Sequence, residues 1–235
     1  MLTKYCAVIF DFDGTLYDNT NIAKDLILQS PFEMFKMHAE RKVRHSMKGI
    51  FYGNSENYLA EKWNLLCKNF HFKTELEAKN WYYDSFLKKM TNILERKYSA
   101  RKSVQEIFKK LKSQNIKLAV FSDYPFVKER MEAVGLQVDD VDIIQSSEEL
   151  GGLKPAKESF EIIAKKLGFA DFTKNQFKKI LVVGDRNDTD GQGARNVGMD
   201  FIQIKTKKTK EEQKNLNHQL VNWNEFIKLA LETEG

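Results

Sequence analysis

The sequence lacks the features of a secreted, membrane-spanning or disordered protein. Its 235 residues include two cysteines, three prolines and twelve glycines. The cysteines, Cys6 and Cys67, form no recognisable disulfide framework, as expected of free thiols in a reducing compartment. Apolar runs such as Cys6 to Phe10 are far shorter than the roughly 20 residues that a bilayer span needs. Without a secretory leader pattern, these features predict a cytoplasmic protein with no membrane partner.

The charge of the chain is mildly positive and spread along its length. There are 38 lysines and arginines against 33 aspartates and glutamates, a formal net charge of +5. Scattered lysines are typical of solvated helix faces, and a field that attracts an anionic ligand is the alternative interpretation. A concentrated basic stripe with interleaved aromatic residues, which would indicate nucleic-acid binding, is missing. We therefore expect no nucleic-acid partner, and a monomer is the default expectation.

The spacing of apolar residues divides the chain into two regions. After a short β-prone run, Tyr5 to Phe10, the pattern is helical up to about residue 97, as in the stripe from Leu59 to Phe70. From Ser103 onward, short all-apolar strands alternate with helices, which is typical of a parallel sheet covered on both faces. The sequence predicts an α/β core with a Rossmann-like parallel sheet, residues 1–18 and 98–235, and an inserted all-helical cap domain, residues 19–97.

Polar residues follow the predicted strands at their carboxyl ends, where open parallel sheets bind ligands. Asp11 and Asp13 close the first strand, Ser122 closes the second, and Asp185 closes a later one. Each aspartate alone would fit a helix cap or a turn. Together they predict a cluster of like charges, which needs a divalent cation or shared protons. Because the ligands would all be oxygen atoms, magnesium is favoured over zinc.

These residues fall into four ordered segments of the chain. They are Asp11 to Leu16, which reads DFDGTL, then Phe121 to Asp123, then Lys154-Pro155, and finally Val183 to Asp185 continuing through Asp190 to Met199. In this order the segments resemble the four motifs of the haloacid dehalogenase superfamily. The resemblance covers the chain from residue 3 to about residue 204, and the helical insert is similar to the cap of the phosphoglycolate phosphatase and β-phosphoglucomutase branch.

The resemblance implies a magnesium-dependent phosphatase that hydrolyses small phosphomonoesters. Asp11 would attack phosphorus and form an aspartyl-phosphate intermediate. Asp13 would act as general acid and then general base, which implies a raised pKa, and Lys154 would neutralise Asp11 and the phosphoryl group. The implied catalytic residues are Asp11, Asp13, Ser122 and Lys154; the phosphate-binding residues are Gly14, Thr15, Ser122, Asp123 and Lys154; the magnesium ligands are Asp11, Asp13 through its backbone carbonyl, Asp185 and Asp190.

Two assignments stay open at the level of sequence. Asp188 competes with Asp190 as the second acid of the fourth motif, and alignment through the glycine and alanine that follow favours Asp190. In the cap, the basic stretch that contains Arg44 and Lys48 is either a solvated helix face or a grip on a second anionic group of the substrate. Arg44 and Lys48 are therefore candidate substrate-binding residues.

The reaction has alternatives too. A phosphomutase or a phosphonate-cleaving enzyme would use the same core and the same Asp11. A non-catalytic binding protein that kept the fold is a further alternative, although the intact set of motif residues disfavours it. Dehalogenases of this family lack an acid at the position of Asp13, so dehalogenation is disfavoured. The expected partner is a small phosphorylated metabolite, because a cap that closes over the site limits access to larger substrates.

Overall fold

A computed structural model describes residues 2–69, 72–169, 174–207, 209 and 218–232. In this part of the chain, six strands form a single sheet: β1 (Ala7–Asp11), β2 (Lys117–Ser122), β3 (Ile143–Ser146), β4 (Ile180–Gly184), β5 (Asp200–Ile204) and β6 (Gln219–Val221). Their order across the sheet is β3-β2-β1-β4-β5-β6, and every neighbouring pair is parallel. The strand order reverses between β1 and β4, next to the strand that carries Asp11.

The described residues also contain twelve α-helices and two π-helical segments, Trp81–Leu87 and Asn187–Gly191. None of these helices is long and apolar enough to cross a membrane. The α-helices are α1 (Ile22–Gln29), α2 (Met34–Ser46), α3 (Ser55–Asn69), α4 (Glu75–Asn80), α5 (Lys88–Lys97), α6 (Val104–Ser113), α7 (Val127–Ala133), α8 (Ser147–Leu150), α9 (Lys157–Lys166), α10 (Lys174–Phe177), α11 (Gln192–Val197) and α12 (Trp223–Leu231).

Side chains of the strands alternate between two apolar clusters, one on each face of the sheet. In β1, Val8 and Phe10 pack with α6, α7 and α12, whereas Ala7 and Ile9 pack with α9 and α11. Successive side chains of a strand point to opposite faces, and here both faces are covered, so β1 and β4 are buried along their whole length. The predicted Rossmann-like sheet with helices on both faces is confirmed.

The helices α1 to α5 lie between β1 and β2 and have an apolar cluster of their own. Its largest buried side chains include Trp63, Tyr82 and Phe86, and Leu153 and Tyr124 of the core pack with it. The first of these helices begins at Ile22 and the last ends at Lys97, inside the limits predicted for the cap. A helical insert therefore lies against the sheet-containing core through shared apolar packing.

Backbone hydrogen bonds also join the insert to the core. The amide of Tyr52 donates to the carbonyl of Gly151 at 2.8 Å, and the amide of Gly49 donates to the carbonyl of Leu153 at 3.2 Å. In the reverse direction, the amide of Leu153 donates to the carbonyl of Ile50 at 3.3 Å. We call this contact, between residues 49–52 and residues 151–153, the cap–core ladder. It ends one residue before Lys154.

Candidate active site

The predicted site residues meet at the carboxyl edge of the sheet, where three neighbouring strands end. Strand β1 ends at Asp11, β2 ends at Ser122, and β4 ends one residue before Asp185. Asp11 lies opposite Phe121 in the register of β1 with β2, so Ser122 follows one residue beyond the level of Asp11. Ligands in open parallel sheets bind at such an edge, next to the point where the strand order reverses.

Three carboxylates cluster at this edge. Each of Asp11, Asp185 and Asp190 offers one oxygen, and these oxygens lie within 4.8 Å of one another. The residues are only 8%, 7% and 2% exposed. A buried set of hard oxygen ligands at this separation fits the coordination that magnesium prefers. These residues could therefore hold a divalent cation.

Lys154 is the cation that the protein itself places in the cluster. Its Nζ atom donates to Asp11 Oδ1 at 2.7 Å, to Asp190 Oδ1 at 2.8 Å and to the carbonyl of Phe121 at 2.9 Å. Burial alone would lower the pKa of Lys154, but Asp11 and Asp190 outweigh burial and raise it, so the side chain stays charged. The ammonium of Lys154 offsets one of the three carboxylate charges of Asp11, Asp185 and Asp190. The remaining negative charge favours the binding of a metal ion.

Asp11 has the environment of a buried, fixed carboxylate. Thr15 Oγ1 donates to its Oδ2 atom at 2.8 Å, and Lys154 holds the other oxygen. Burial raises the pKa of Asp11 well above its usual value; Lys154 opposes this shift, whereas Asp190 and Asp185 add to it. A cation at the cluster would therefore stabilise the ionised form of Asp11.

Gly14 is required by the close approach of two of the motifs. Its φ of +103° lies in the region that favours glycine. A Cβ atom at this position would lie 2.4 Å from Oδ2 of Asp185, which is far inside van der Waals contact. The glycine of the first motif therefore makes room for the acid of the fourth.

Asp13 lies beside the cluster and is held by donors from three other residues. Tyr17 donates to Oδ1 at 2.7 Å, Ser122 donates to Oδ2 at 2.7 Å, and Arg130 Nη1 reaches both oxygens at 2.7 and 2.9 Å. Burial alone would raise the pKa of Asp13, but Arg130, together with the hydrogen bonds from Ser122 and Tyr17, lowers it. The raised pKa expected for Asp13 is wrong for this arrangement, because all these partners donate to the carboxylate.

Arg130, which no sequence pattern indicated as a site residue, is wholly buried at the centre of these bonds. Its guanidinium also donates to Ser122 Oγ at 2.6 Å, to the carbonyl of Tyr124 at 2.8 Å and to the carbonyl of Pro125 at 3.1 Å. Arg130 therefore ties Asp13 to the loop after β2. Arg130 belongs to none of the four motifs, and the helical spacing of α7 does not distinguish it from a solvent-exposed arginine.

The two candidates for the second acid of the fourth motif lie in different places. Asp190 is in the carboxylate cluster, whereas the side chain of Asp188 is 56% exposed and pairs with Arg186 at 2.7 Å and with Lys48 of the insert. Burial opposes the shift, but Arg186 and Lys48 lower the pKa of Asp188 to about 2. The geometry thus favours Asp190 as the second acid and engages Lys48 in an ion pair between insert and core.

The other predicted binding residues lie at the boundary between insert and core. Asp123 accepts a hydrogen bond from Ser147 Oγ at 2.8 Å and is outside the carboxylate cluster. Arg44 is 22% exposed in its side chain, lies 3.4 Å from Glu40, and stacks 4.4 Å from the ring centre of Tyr124. Arg44 is therefore not on a solvated helix face.

The chain belongs to the haloacid dehalogenase-like hydrolases. The model of that family matches residues 5–198, a span that contains every predicted site residue. The match confirms the family resemblance that the four motifs indicate. No curated protein matches the chain in a sequence comparison.

Three solved structures illustrate the fold. The predicted phosphoglycolate phosphatase of Haemophilus somnus 129PT is 22% identical with a TM-score of 0.62, and the match covers 96% of this chain and 98% of that one. YfnB of Bacillus subtilis, described as a HAD-hydrolase and solved with magnesium, is 15% identical with a TM-score of 0.61, covering 97% and 99%. A dehalogenase in an intermediate complex is 18% identical with a TM-score of 0.61, covering 98% and 99%. At these identities the likeness shows the fold alone.

Proposed function

We propose that this hydrolase is a magnesium-dependent phosphatase that acts on small phosphomonoesters through an aspartyl-phosphate intermediate. The observation that carries the proposal is the buried cluster of Asp11, Asp185 and Asp190 around Lys154 at the carboxyl edge of the sheet. Such a site combines a fixed carboxylate nucleophile with positive charge that can meet a phosphoryl group. Phosphoryl transfer depends mainly on positioning and on charge stabilisation, and this set of residues supplies both.

Asp11 is the proposed nucleophile. Thr15 and Lys154 fix its two oxygens at 2.8 and 2.7 Å, so the carboxylate is oriented before substrate arrives. One oxygen would attack phosphorus in line, and the bond to the leaving oxygen would break with its electron pair on that oxygen. Magnesium, bound by Asp11, Asp185, Asp190 and the backbone carbonyl of Asp13, would offset the negative charge of the phosphoryl oxygens.

Asp13 is the proposed acid and base. The lowered pKa of Asp13 favours its ionised form, which is the form that would take a proton from water when the aspartyl-phosphate is hydrolysed. Protonation of the leaving oxygen in the first step would require the proton to reach Asp13 while Arg130 and Ser122 still hold it. An acid at this position favours phosphate chemistry over dehalogenation.

Lys154 and the insert complete the proposed site. Lys154 would contact both the nucleophile and a phosphoryl oxygen, as its position between Asp11 and Asp190 allows. The insert, tied to the core by the cap–core ladder, would exclude water and large substrates. Small phosphorylated metabolites are therefore the proposed substrates.

The proposal is tested by phosphate release from a panel of small phosphomonoesters, with magnesium and with EDTA. We expect release that needs magnesium and that Asp11→Asn abolishes, while Asp188→Asn lowers it only a few-fold. A folded protein that releases no phosphate from any ester with magnesium present would contradict the proposal. Transfer of the phosphoryl group between sugar phosphates, with little net release, would instead indicate a phosphomutase.

A further inference from the structure

Arg101 lies on the second of the two connections between insert and core, after α5 and before α6. It donates to three successive carbonyl groups of the first motif. Its Nη2 atom donates to the carbonyl of Gly14 at 3.0 Å, its Nε atom to that of Thr15 at 3.0 Å, and its backbone amide to that of Leu16 at 2.8 Å. One residue next to the insert thus holds the loop that follows Asp13.

The loop that Arg101 holds is in contact with the carboxylate cluster at two points. Thr15 Oγ1 donates to Asp11 Oδ2 at 2.8 Å. Gly14 lies against Asp185, so closely that a Cβ atom on the glycine would be 2.4 Å from Asp185 Oδ2. The loop therefore touches both the proposed nucleophile and a proposed magnesium ligand, and its position affects both.

The hydrogen bonds of Arg101 restrict the backbone dihedral angles of Thr15. The carbonyl of Gly14 belongs to the peptide unit before Thr15, and the carbonyl of Thr15 belongs to the unit after it. Because one planar guanidinium donates to both units, the Thr15 side chain is held in the direction in which its hydroxyl meets Asp11. A glycine leaves many backbone conformations open at position 14, and Arg101 restricts these as well.

Arg101 is itself fixed from the side of the core. The residue is half-buried, and its guanidinium lies 5.7 Å from the ring centre of Trp223, the first residue of α12. The indole Nε1 atom of Trp223 donates to the carbonyl of Lys102 at 2.9 Å. A guanidinium near an aromatic face is attracted by the charge distribution of the ring. The donors that reach Gly14 and Thr15 are therefore oriented in advance.

We propose that Arg101 is a positioning residue of the proposed active site: by holding Gly14 and Thr15, it sets the geometry in which Asp11 and Asp185 bind magnesium. The inference rests on the proposed magnesium-dependent function and extends it to a residue outside the four motifs, on a connection to the insert. Replacing residues that orient metal ligands in this way typically changes metal affinity by roughly 10- to 100-fold.

The direction of the change in magnesium affinity separates positioning from an effect of charge. Burial lowers the pKa of Arg101, and the negative charges of Asp18 and Asp185 partly offset this shift. The positive charge of Arg101 therefore also acts on Asp185 and opposes a second cation there. If charge were its only effect, replacing Arg101 by a neutral residue would strengthen magnesium binding. Loss of positioning has the opposite sign and weakens binding.

The test is a calorimetric titration of the metal-free proteins with magnesium. We expect the Kd of magnesium to be about tenfold higher in Arg101→Met than in wild type. It should also be higher in Arg101→Lys, by about threefold or more, since lysine keeps the charge but lacks the planar fork of donors. Lys102→Met, which removes an exposed neighbouring charge, should leave the Kd within about twofold of the wild-type value.

Gly168→Ala is the control for stability. Its φ is +95° and nothing lies within 4 Å of the added Cβ atom, so the substitution destabilises the fold through backbone strain alone. Urea unfolding measures the loss of stability in each variant, and Gly168→Ala should bind magnesium as wild type does. A rise in its Kd as large as that of Arg101→Met would overturn the inference, because destabilisation alone would then weaken the site.

Activity supplies a second readout. With p-nitrophenyl phosphate at saturating magnesium, kcat of Arg101→Met should fall at least about tenfold, because Thr15 no longer orients Asp11. Lys102→Met and Gly168→Ala should keep the wild-type kcat. An unchanged kcat in Arg101→Met would contradict the positioning of Asp11 through Thr15.

The outcomes separate this inference from the function on which it rests. Absence of magnesium-dependent phosphate release from wild type would defeat the proposed phosphatase, while the titrations would still test Arg101. Magnesium binding that is unchanged or tighter in Arg101→Met would overturn the inference alone. An unchanged Kd in Arg101→Lys would do the same if Arg101→Met does not fold. A wild-type protein that binds no magnesium would overturn both.

Discussion

Arg130 reaches both carboxylate oxygens of Asp13, with Nη1 at 2.7 Å from Oδ1 and 2.9 Å from Oδ2. The two residues are 117 positions apart in the chain. Because the arginine also bonds to the loop after β2, this one side chain fixes the second motif against the first. The orientation of the proposed acid and base therefore depends on a residue outside all four motifs.

Arg130→Met should reduce both stability and activity. Removing one partner of a buried pair leaves the other charge uncompensated, which costs about 3 kcal/mol of unfolding free energy. We expect kcat to fall at least about tenfold, because Asp13 loses its orientation. Urea unfolding and steady-state kinetics check both effects, with Lys128→Met, an exposed position on α7, as control. An Arg130→Met enzyme with normal kcat would show that Asp13 does not depend on this contact.

The same variant predicts a pH dependence of stability. The pKa of Asp13 is lowered from 3.8 in the folded protein, so its contribution to stability is full above the unfolded value and is lost as the pH falls through the folded value. The difference in unfolding free energy between wild type and Arg130→Met should thus be largest near neutral pH and shrink below about pH 4. Urea unfolding across this range measures it; a constant difference would contradict the assignment.

Gly14→Ala should disrupt the carboxylate cluster. The new Cβ atom would lie 2.4 Å from Asp185 Oδ2, so the acid must move. Gly135→Ala is a matched control, because its φ is +84° and nothing lies within 4 Å of the added Cβ. Both substitutions cost backbone strain of about 1–3 kcal/mol, but only Gly14→Ala should abolish the rise in Tm on adding magnesium. Equal responses of the two variants to magnesium would refute the argument.

Lys154→Met should make the protein depend more strongly on magnesium for stability. Without the ammonium, Asp11 and Asp190 face each other with no internal cation, and the metal-free protein should lose about 3 kcal/mol of stability. The rise in Tm on adding magnesium should be larger than in wild type, while phosphate release falls at least about a hundredfold. Thermal unfolding with and without magnesium tests this, and Lys157→Met, which is exposed, is the control. A smaller magnesium response in Lys154→Met than in wild type would argue against metal binding at these carboxylates.

Asp190→Asn and Asp188→Asn should have unequal effects. Asp190 is buried among the proposed metal ligands, whereas Asp188 is half exposed and pairs with Arg186. We expect Asp190→Asn to lower kcat/KM at least about a hundredfold, and Asp188→Asn to lower it only a few-fold, since surface ion pairs contribute little. Kinetics of both variants at saturating magnesium decide the matter. Equal losses would mean that the exposed acid also serves the reaction.

The sheet and the meeting of the aspartates at its edge were both predictable from the apolar runs in the sequence. Continuous apolar runs such as Ile180 to Val183 are typical of strands in a sheet covered on both faces, and the residues after parallel strands lie at one edge of the sheet. The cluster of Asp11, Asp185 and Asp190 follows from this rule. The carbonyl of Asp13 as a metal ligand stays a prediction.

The partners of Asp13 and the burial of charged residues between insert and core could not be predicted in this way. Sequence patterns place charged residues on solvated faces, because isolated charges are seldom buried. Arg130 and Lys62 are buried beside partners from distant parts of the chain, Asp13 and Glu148, and no local spacing encodes those partners. The same assumption left open a solvated face for Arg44.

The cap–core ladder has a consequence for how the enzyme would respond to the size of its substrate. Its last hydrogen bonds involve Leu153, the residue immediately before Lys154, so a displacement of the insert pulls directly on the segment that holds the ammonium beside Asp11. A molecule too bulky for the space under the insert would separate the nucleophile from its counter-charge. A substrate that fits poorly under the insert would then make Asp11 a weaker nucleophile. The enzyme would select its substrate through the rate of the chemical step as well as through binding.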